Sequence, residues 1–412
     1  MSTSADVQWV PVRELGEVRM GKQLSPSSRE AADQFPYLRV ANVHLGRIEY
    51  VDVNEMGFTS AERVTYGLKP GDILLNEGQS LELVGRSAIY ERAEGEFCFQ
   101  NTLIRFRPNG RILSAYAQVV FEHWLRSGVF AAIAKQTTSI AHLGGDRFAA
   151  LKFPLLPIGT QQRIVDVLDS LAELERGTEV SIAKLRSVRQ GLISEQFSRA
   201  DVEGGSPTSR LRTLDSLADV GGGLTLGGIS SGGTLLEVPY LRVANVQDGF
   251  VSTLEMKSVR VTPSDMERFR LRCDDVLVTE GGDFDKVGRG AVWDGRIDPC
   301  LNQNHVFRVR CDKEVLDPHF LNLYMSSAAG RRYFLRVVKQ TTNLASINSS
   351  QLKAMPVPCP PLEEQRRTVE LVGSCDEQIA QEEDELAKLR ELKVGLVDDL
   401  LSGRVAVSVA GG

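Results

Sequence analysis

A glycine-lysine run near the N-terminus is the first segment whose residue types could do chemistry. Gly16–Lys22, with the sequence GEVRMGK, matches most of the phosphate-binding pattern GxxxxGK[ST]. Gln23 stands where that pattern needs a hydroxyl group to bind Mg²⁺, and the glycines of Gly221–Gly233 are not spaced as GxGxxG. The Asp/Asn-Pro-Pro-aromatic tetrapeptide typical of amino-methyltransferases is absent. We therefore predict that this chain neither binds a nucleotide nor transfers a methyl group.

Paired carboxylates and histidines are the other candidates for catalysis or metal binding. The acidic pairs are Asp72 with Glu77 and Asp275 with Glu280. No lysine follows two residues after either glutamate, as a nuclease site would require, and Gly-Asp before an apolar run is a common turn into a strand. The five histidines share no metal-ligand spacing; they are His44, His123, His142, His305 and His319. The sequence thus predicts a protein without catalytic residues or a metal site.

Composition and length predict a globular protein of two domains. The 412 residues suffice for two domains of ordinary size, and the contents of apolar (42%) and charged (25%) residues are typical of globular chains. The six cysteines never form CxxC, the N-terminus lacks the pattern of a secretion signal, and no apolar run approaches the roughly 18–20 residues that cross a bilayer. We therefore expect a cytoplasmic protein with reduced thiols and no membrane contact.

The net charge of −6 comes from one acidic segment. Twelve acidic and five basic side chains lie between Leu362 and Leu400, so the rest of the chain is close to neutral. Local basic groups occur elsewhere, for example Arg105, Arg107 and Arg111. They could equally be solvated surface charges, so charge alone does not indicate a nucleic-acid partner.

The sequence contains an internal duplication with a period near half the chain. PYLRVANV occurs at Pro36–Val43 and again, without a change, at Pro239–Val246. Further matches at the same or almost the same shift are VGRSAIY from Val84 with VGRGAVW from Val287, KQTT from Lys135 with KQTT from Lys339, a proline-rich step into Gln162-Arg163 and Gln365-Arg366, and KLRSVRQGL from Lys184 with KLRELKVGL from Lys388. Two ordered sets of matching segments indicate a tandem repeat of one structural unit.

Each half combines a mixed domain with a long helix. Short β-rich runs with turns precede helical stretches predicted around Ala115–Lys135 and Pro318–Val338. Prolines before Gln/Glu-rich segments then predict helix starts, after which apolar residues recur at helical spacing in both copies. Polar residues at Glu175–Glu179 interrupt the apolar stripe of the first helix, so its continuity stays open. We expect the two stripes to pack as an intramolecular antiparallel pair.

The order of domain, helix, domain and helix resembles the specificity subunit of type I restriction–modification systems. The resemblance rests on PYLRVANV, GDILLNEG, VGRSAIY, KQTT and the proline-rich helix start, and it covers essentially the whole chain. It implies an α+β fold with two pseudo-twofold-related α/β target-recognition domains separated by a pair of long antiparallel coiled-coil helices. The implied bounds are 1–153 and 201–355 for the recognition domains, 154–200 and 356–405 for the helical spacers, and 406–412 for a tail.

The resemblance also implies partners. The chain would recognise a split, asymmetric sequence in double-stranded DNA and direct adenine methylation or cleavage, with no catalysis of its own. Its partners would be two methyltransferase (modification) subunits, which carry S-adenosylmethionine, and restriction subunits in the full complex. No cofactor is expected in this chain. The alternative is a two-headed adaptor that binds proteins and has no DNA specificity.

The repeat sorts candidate DNA-contacting residues by whether both halves share them. Residues that differ within matched surroundings are candidates for reading bases, since Gln can pair with adenine, Lys with guanine, and Asp or Glu with cytosine. They are Lys22, Gln23, Gln79, Ser80, Glu82, Asp283, Asp285 and Lys286. Shared residues are candidates for contacts to the DNA backbone: Arg39, Arg86, Lys135, Gln136, Thr137, Thr138, Arg242, Arg289, Lys339, Gln340, Thr341 and Thr342.

Structural explanations stay open for these segments. PYLRVANV fits a buried strand followed by a turn that its asparagine caps. KQTT fits a hydroxyl-capped turn, or a loop against a helix, as well as a DNA contact. The loop between Gly78 and Gly85 could simply have drifted after the duplication.

Overall fold

The computed structural model describes residues 7–136, 139–198, 210–225, 234–282, 287–340 and 345–401. These residues form two compact units, one up to Thr178 together with the residues from Glu385 on, and one from Glu179 to Asp384. Each unit consists of one mixed α/β domain and of segments from two long helices. No described helix is both long and apolar enough to cross a membrane.

The domain of the first unit starts and ends in strands that pair with each other. Its elements are β1 (Gln8–Pro11), β2 (Gly16–Met20), α1 (Pro26–Arg29), β3 (Gln34–Leu38), β4 (Val43–His44), β5 (Arg47–Ile48), β6 (Asn54–Gly57), α2 (Ser60–Tyr66), β7 (Ile73–Asn76), β8 (Gly78–Gln79), β9 (Ser87–Ile89), β10 (Cys98–Phe99), β11 (Leu103–Pro108), α3 (Ser114–Arg126), α4 (Val129–Ile133), β12 (Lys135–Gln136), β13 (Ala141–His142), α5 (Gly145–Ala150) and β14 (Lys152–Leu155), after which the chain enters the long helix α6 (Ile158–Ser198). β1 pairs antiparallel with β14, so the ends of the domain are held together where α6 begins.

Besides the two-stranded sheets β1-β14 and β4-β5, this domain has three sheets of three or four strands. They are the four-stranded antiparallel sheet β2-β11-β7-β9, the three-stranded sheet β10-β3-β6, and a sheet of three short strands, β12-β13-β8, which we call the small sheet. The central strand β7 is buried on both faces. Ile73 and Leu75 lie in the core with helix α3, whereas Leu74 lies in a second core with β3.

The second unit repeats this architecture. Its elements are β15 (Arg210–Thr213), β16 (Ala218–Gly221), β17 (Leu236–Leu241), β18 (Lys257–Val261), α7 (Pro263–Phe269), β19 (Val276–Thr279), β20 (Gly281–Gly282), β21 (Gly290–Val292), β22 (Leu301–Asn302), β23 (Val306–Cys311), α8 (Pro318–Ser326), α9 (Ala328–Val337), β24 (Lys339–Gln340), β25 (Ala345–Ser346), α10 (Ser349–Lys353), β26 (Pro356–Cys359) and the long helix α11 (Leu362–Leu401). The sheets are β15-β26, β16-β23-β19-β21, β18-β17-β22 and a second small sheet, β20-β25-β24.

The matching strand orders confirm the tandem repeat and the predicted fold class. One detail differs from the sequence prediction. Each of the helical stretches predicted before a small sheet consists of two helices. Helix α3 ends at Arg126 and α4 starts at Val129. In the second unit Ser327 lies between α8 and α9. Its hydroxyl group caps α9 by accepting a hydrogen bond from the backbone N–H of Gly330 (3.2 Å).

The repeated PYLRVANV segment is a buried strand followed by a capped turn in both units. The side-chain oxygen of Asn42 accepts a hydrogen bond from the backbone N–H of Arg39 (3.1 Å), and that of Asn245 accepts one from Arg242 (3.0 Å). Both asparagines are buried. The structural explanation of this motif is therefore confirmed, and it stabilises the end of the strand.

Both long helices are continuous, α6 over 41 residues and α11 over 40. The polar residues at Glu175–Glu179 do not break α6, because the partner helix supplies polar groups opposite them. In the first unit Lys393 Nζ donates a hydrogen bond to Glu175 Oε2 (3.2 Å). In the second unit the Ser181 hydroxyl group donates one to Glu382 (2.7 Å).

The helices pair antiparallel inside each unit, as predicted. In the first unit the start of α6 packs with the end of α11 in one core, which includes Leu168 and Leu400. In the second unit Arg186 pairs with Glu383 (2.6 Å), and Arg189, further along α6, pairs with the earlier residue Asp376 (2.5 Å). The five domain bounds given above stay predictions.

A buried glutamine ties each long helix to the domain before it. Gln161 Oε1 accepts from the backbone N–H of Leu113 (2.9 Å), and its Nε2 donates to the carbonyl oxygens of Arg111 (3.0 Å) and Leu156 (2.8 Å). The residue is 0% exposed. The first turn of α6 is thereby bonded to the loop before α3 and to the end of the last strand.

Gln365 makes the same set of bonds in the second unit. It accepts from the N–H of Asp317 (2.9 Å) and donates to the carbonyl oxygens of Val315 and Pro360 (2.8 Å each). The structural equivalent of Gln365 is therefore Gln161, which corrects the pairing with Gln162 made from the sequence. The second half carries one extra residue before this point, as the KQTT segments already indicate.

Replacing the buried glutamine should destabilise the protein much more than replacing its exposed neighbour. We expect Gln161→Leu to lower the free energy of unfolding by about 1–3 kcal/mol, because one N–H and two carbonyl groups lose their buried partner. The matched control is Gln162→Leu, which alters an exposed side chain and should change stability by less than about 0.5 kcal/mol. Denaturant unfolding of both variants measures the two changes in the free energy of unfolding. Equal losses of stability would show that the buried hydrogen bonds of Gln161 are not needed to hold the helix to the domain.

Candidate nucleic-acid interface

The small sheet of each unit brings together two segments that the sequence analysis singled out separately. In the first unit Lys135 of β12 lies opposite His142 of β13, and Gln79 of β8 lies opposite Ala141 on the other side. In the second unit β25 is likewise flanked by β24, with Lys339–Gln340, and by β20. One strand, the central strand of the small sheet, therefore lies between the shared Lys-Gln strand and the start of the loop that differs between the halves.

That loop, residues 79–84 and 282–287, is called the variable loop, and both copies have the same anchors. Each starts next to a glycine of the small sheet and ends at a glycine with positive φ, Gly85 (85°) or Gly288 (71°). A Cβ atom at Gly85 would collide with the ring of Phe130, and one at Gly288 with that of Phe334. Only glycine fits at these two positions, so both copies of the loop end at an equivalent glycine although their sequences differ.

In the first unit the variable loop is an exposed turn. The backbone N–H of Leu83 donates to the carbonyl oxygen of Ser80 (3.0 Å). Gln79 is half-buried and accepts from the N–H of Ser80 (3.1 Å), whereas Ser80 and Glu82 are exposed. Leu81 and Leu83, each 39% exposed, were not among the sequence candidates, although apolar side chains in a polar turn are a usable signal.

Several sequence candidates lie outside the described residues. They are Asp283, Asp285 and Lys286 of the second variable loop and Thr137, Thr138, Thr341 and Thr342 of the KQTT segments.

Lys22 takes part in packing elsewhere in the first unit. Its Nζ donates to Glu62 Oε2 (2.7 Å) and to the carbonyl oxygen of Gly57 (2.8 Å), and it lies 4.9 Å from the centre of the Phe58 ring. The hydrogen bond from Lys22 lowers the pKa of Glu62, which favours the ionised carboxylate. The neighbouring Gln23 is exposed. The structure therefore places Lys22 between β6 and α2, with its charge already paired.

The shared arginines differ in their partners. Arg39 donates to Asp52 Oδ2 (2.7 Å), and Arg242 donates to the carbonyl oxygen of Glu255 (3.2 Å). Arg86, directly after the variable loop, is half-buried, and its buried Nε has no hydrogen-bond partner among the described residues. Burial lowers the pKa of Arg86. A partly desolvated guanidinium group without an acceptor is suited to bind an anion.

Three other shared candidates can be placed. Lys135 and Gln136 are exposed in β12, and Arg289 is half-buried at the position equivalent to Arg86.

The acidic residues that could have suggested a nuclease serve the fold. Asp72 forms a two-bond ion pair with the guanidinium group of Arg107, and Asp275 forms one with Arg310, all at 2.7 Å. The hydrogen bonds that the guanidinium groups donate to these carboxylates raise the pKa of both arginines. Both aspartates are buried, so the ion pairs join the turn before the central strand to its neighbour in each four-stranded sheet.

A histidine–glutamate pair lies beside each small sheet, and sequence reasoning missed both. His142 Nδ1 is 3.0 Å from Glu77 Oε2, and His305 Nδ1 is 2.6 Å from Glu280 Oε2. The two glutamates are matched by the repeat, but the two histidines are not. No spacing pattern marks these pairs, because only strand pairing brings their members together.

The chain matches known proteins over most of its length. The model of one family, described as "Type I restriction modification DNA specificity domain", matches residues 5–184 and 213–391. The type I restriction enzyme EcoKI specificity subunit of Escherichia coli strain K12 is 24% identical over 405 residues, which cover 90% of this chain and 83% of that protein. The match spans 83% of the length of the EcoKI specificity subunit but only 39% of the length of a second relative, the putative type I restriction enzyme MjaX specificity subunit of Methanocaldococcus jannaschii.

Solved structures share the fold. A chain from a structural study of complex assembly and conformational transition of the type I R-M system has a TM-score of 0.62 at 18% identity, covering 96% of this chain and 97% of that chain. The HsdS subunit from Thermoanaerobacter tengcongensis has a TM-score of 0.56 at 18% identity, covering 97% of both chains. The family model spans both halves of the repeat, and the protein therefore belongs to the type I restriction–modification DNA specificity subunits.

Proposed function

We propose that this subunit recognises a split, asymmetric sequence in double-stranded DNA, one half-site with each unit, and directs adenine methylation or cleavage by partner subunits. The observation that carries the proposal is the small sheet. In each unit the same three-stranded sheet carries the start of the variable loop on one edge strand and a Lys-Gln segment, which both units share, on the other. A shared strand suits contacts to the phosphate backbone, and a divergent loop suits contacts to base edges.

The variable loops have the side chains for reading bases. In the first unit Gln79, Ser80 and Glu82 can form hydrogen bonds with base edges, and the exposed Leu81 and Leu83 can contact the methyl group of thymine. We assign the same role in the second unit to Asp283, Asp285 and Lys286 from their sequence positions. Since the two loops differ at every position except the last, we propose that the two half-sites differ.

Contacts to phosphate groups fall to shared residues. In the first unit we assign them to Lys135, Gln136 and the guanidinium group of Arg86, whose buried Nε atom has no hydrogen-bond partner in the part of the chain that the structure describes. From their places in the repeat we assign contacts to phosphate groups also to Thr137 and Thr138 and, in the second unit, to Arg289, Lys339, Gln340, Thr341 and Thr342. Arg39 and Arg242 fit this role less well, because each guanidinium group already has an acceptor.

The long helices support a fixed interval between the half-sites. A helix of 41 residues is about 60 Å long at roughly 1.5 Å per residue. In both units α6 is paired with α11, and helix pairing of this kind limits bending. We propose that the helix pair sets the number of base pairs that go unread.

Two modification subunits, which carry S-adenosylmethionine, and restriction subunits in the full complex are the partners that we propose. The long helices support docking of other subunits because they expose apolar side chains. Leu174 and Leu392 are each 57% exposed in the first unit, and Val188 is 54% exposed in the second.

The proposal predicts one split methylation motif that depends on this gene. Mapping methylated adenines genome-wide, with and without the gene, should reveal a motif of two short elements separated by an unread interval. An unchanged methylation map would contradict the proposal. If the purified chain also neither bound a modification subunit nor shifted duplex DNA, the protein adaptor without DNA specificity would be favoured.

Transplanting residues 282–287 into positions 79–84 should change the sequence of one half-site only. The matched anchors Gly78 with Gly85 and Gly281 with Gly288 allow the exchange without a change in loop length. We expect the methylation map to show a new element in place of the one that the first unit reads. The other half-site is the internal control, and a motif that survives the exchange unaltered rules out base reading by the variable loop.

Arg86→Ala should weaken binding to all duplexes alike. Loss of one phosphate contact should reduce the slope of log Kd against log salt concentration by about 0.9. Discrimination between cognate and altered duplexes should stay constant, because phosphate contacts carry no sequence information. Titrations at several salt concentrations measure both quantities. The control is Arg13→Ala, which removes an exposed arginine outside the small sheet, and a similar change in slope for both variants would argue against the assignment of Arg86.

A further inference from the structure

One glutamate occupies the same junction in both units. Glu77 lies between β7 of the four-stranded sheet and β8 of the small sheet, and Glu280 lies between β19 and β20. The backbone N–H of Glu77 donates to the carbonyl oxygen of Thr102 (2.9 Å), and its own carbonyl oxygen accepts from Leu143 (2.8 Å). Glu280 makes the equivalent bonds with His305 (2.9 Å) and Ile347 (2.9 Å). The backbone therefore holds each carboxylate at the edge of its small sheet.

The histidine on this carboxylate comes from a different place in each unit. In the first unit it is His142, on the central strand of the small sheet, and the repeat matches this position with the exposed Ser346. In the second unit it is His305, just before β23, and the repeat matches it with Thr102. The two units thus bring an imidazole ring to an equivalent glutamate from two different elements.

Each ring is fixed at one nitrogen and unpaired at the other. An ionised carboxylate only accepts hydrogen bonds, so the Nδ1 atom that faces it carries the proton. The Nε2 atoms of His142 and His305 have no partner among the described residues. The side chains are 43% and 56% exposed. A single hydrogen bond of a side chain this exposed adds only about 0.5–1.5 kcal/mol to stability at most, so the fold does not depend on these pairs.

The position of His142 matches the proposed DNA-contacting surface. Across the strand it lies opposite Lys135. On the other side a Cβ atom at Gly78 would be 3.5 Å from the imidazole ring, so the glycine lies directly against the ring. His142 is therefore between the shared Lys-Gln strand and the start of the variable loop.

We propose that His142 and His305 are specificity-determining residues, each of which presents Nε2 to a base edge in the half-site of its own unit. Glu77 and Glu280 are positioning residues that set the ring orientation. This inference rests on the proposed function, because it requires that the small sheet contacts DNA. It adds a base-reading group whose ring is oriented by a hydrogen bond to a glutamate, whereas the variable loop of the first unit is an exposed turn.

Two substitutions at His142 separate base reading from a structural role. In His142→Asn the amide can replace Nδ1 and keep the bond to Glu77, but it leaves nothing at the position of Nε2. In His142→Gln the longer side chain can place its amide near the position of Nε2. The complex with modification subunits is titrated with the cognate duplex and with duplexes that carry single base-pair changes in either half-site.

We expect His142→Asn to reduce discrimination about tenfold at one base pair of one half-site and His142→Gln to restore part of it. His305→Asn should act only on the other half-site. Glu77→Ala should reduce discrimination at the same base pair as His142→Asn, whereas Glu77→Gln, which keeps an acceptor oxygen, should retain most of it. Ser346→Ala, at the matched position of the second unit, should change nothing. Thermal unfolding should be nearly equal for all variants.

Full discrimination by His142→Asn would overturn the inference. Weaker binding to every duplex by the same factor would overturn it too, because that is the behaviour of a phosphate contact or of a loosened fold. If the unmodified complex discriminates and the variant does as well, only this inference fails. If the unmodified complex does not discriminate among duplexes at all, the proposed function fails and this inference fails with it.

Discussion

Each long helix carries in its first turn a glutamine without solvent contact, and three hydrogen bonds of this side chain hold the helix to its own domain. Gln161 and Gln365 are themselves 0% exposed, so an altered helix position would leave their buried amide groups unpaired. The cores of both units continue from the domain onto the helix, through Ile164 and Val372. The position of every DNA-contacting candidate relative to its own stretch of helix depends on this tie.

In this arrangement the residues that stabilise the fold differ from those that we propose determine specificity. The buried ion pairs of Asp72 and Asp275 and the capping asparagines of PYLRVANV occur in both units and support the sheets. The variable loops and the two histidines differ between the units. Residues 80–83 of the first loop are exposed, and the side chains of His142 and His305 are 43% and 56% exposed. Exposed residues can change at little cost in stability. A duplicated domain can therefore acquire a second specificity while its core stays the same.

Polar residues in the long helices explain where sequence patterns mislead. Glu175 interrupts the apolar stripe of α6, and a single helix examined alone would be expected to break there. In the first unit Lys393 of the partner helix is 3.2 Å away, so the carboxylate is paired and the helix continues. Lys22 is the converse case, because a lysine that looks free in the sequence is neutralised by Glu62. Residues remote in the chain decide both outcomes.

The sequence by itself determined the duplication, the mixed fold of each half, the antiparallel helices and the family, because repeated segments fold alike and apolar periodicity selects the buried face. It also located the shared Lys-Gln strand and the divergent loop, although not that both belong to one sheet. Only the tertiary structure decided that the buried Nε atom of Arg86 has no hydrogen-bond partner among the described residues, and which histidine meets which glutamate. Such pairs depend on strand register between residues up to 65 positions apart, and no local pattern encodes that register.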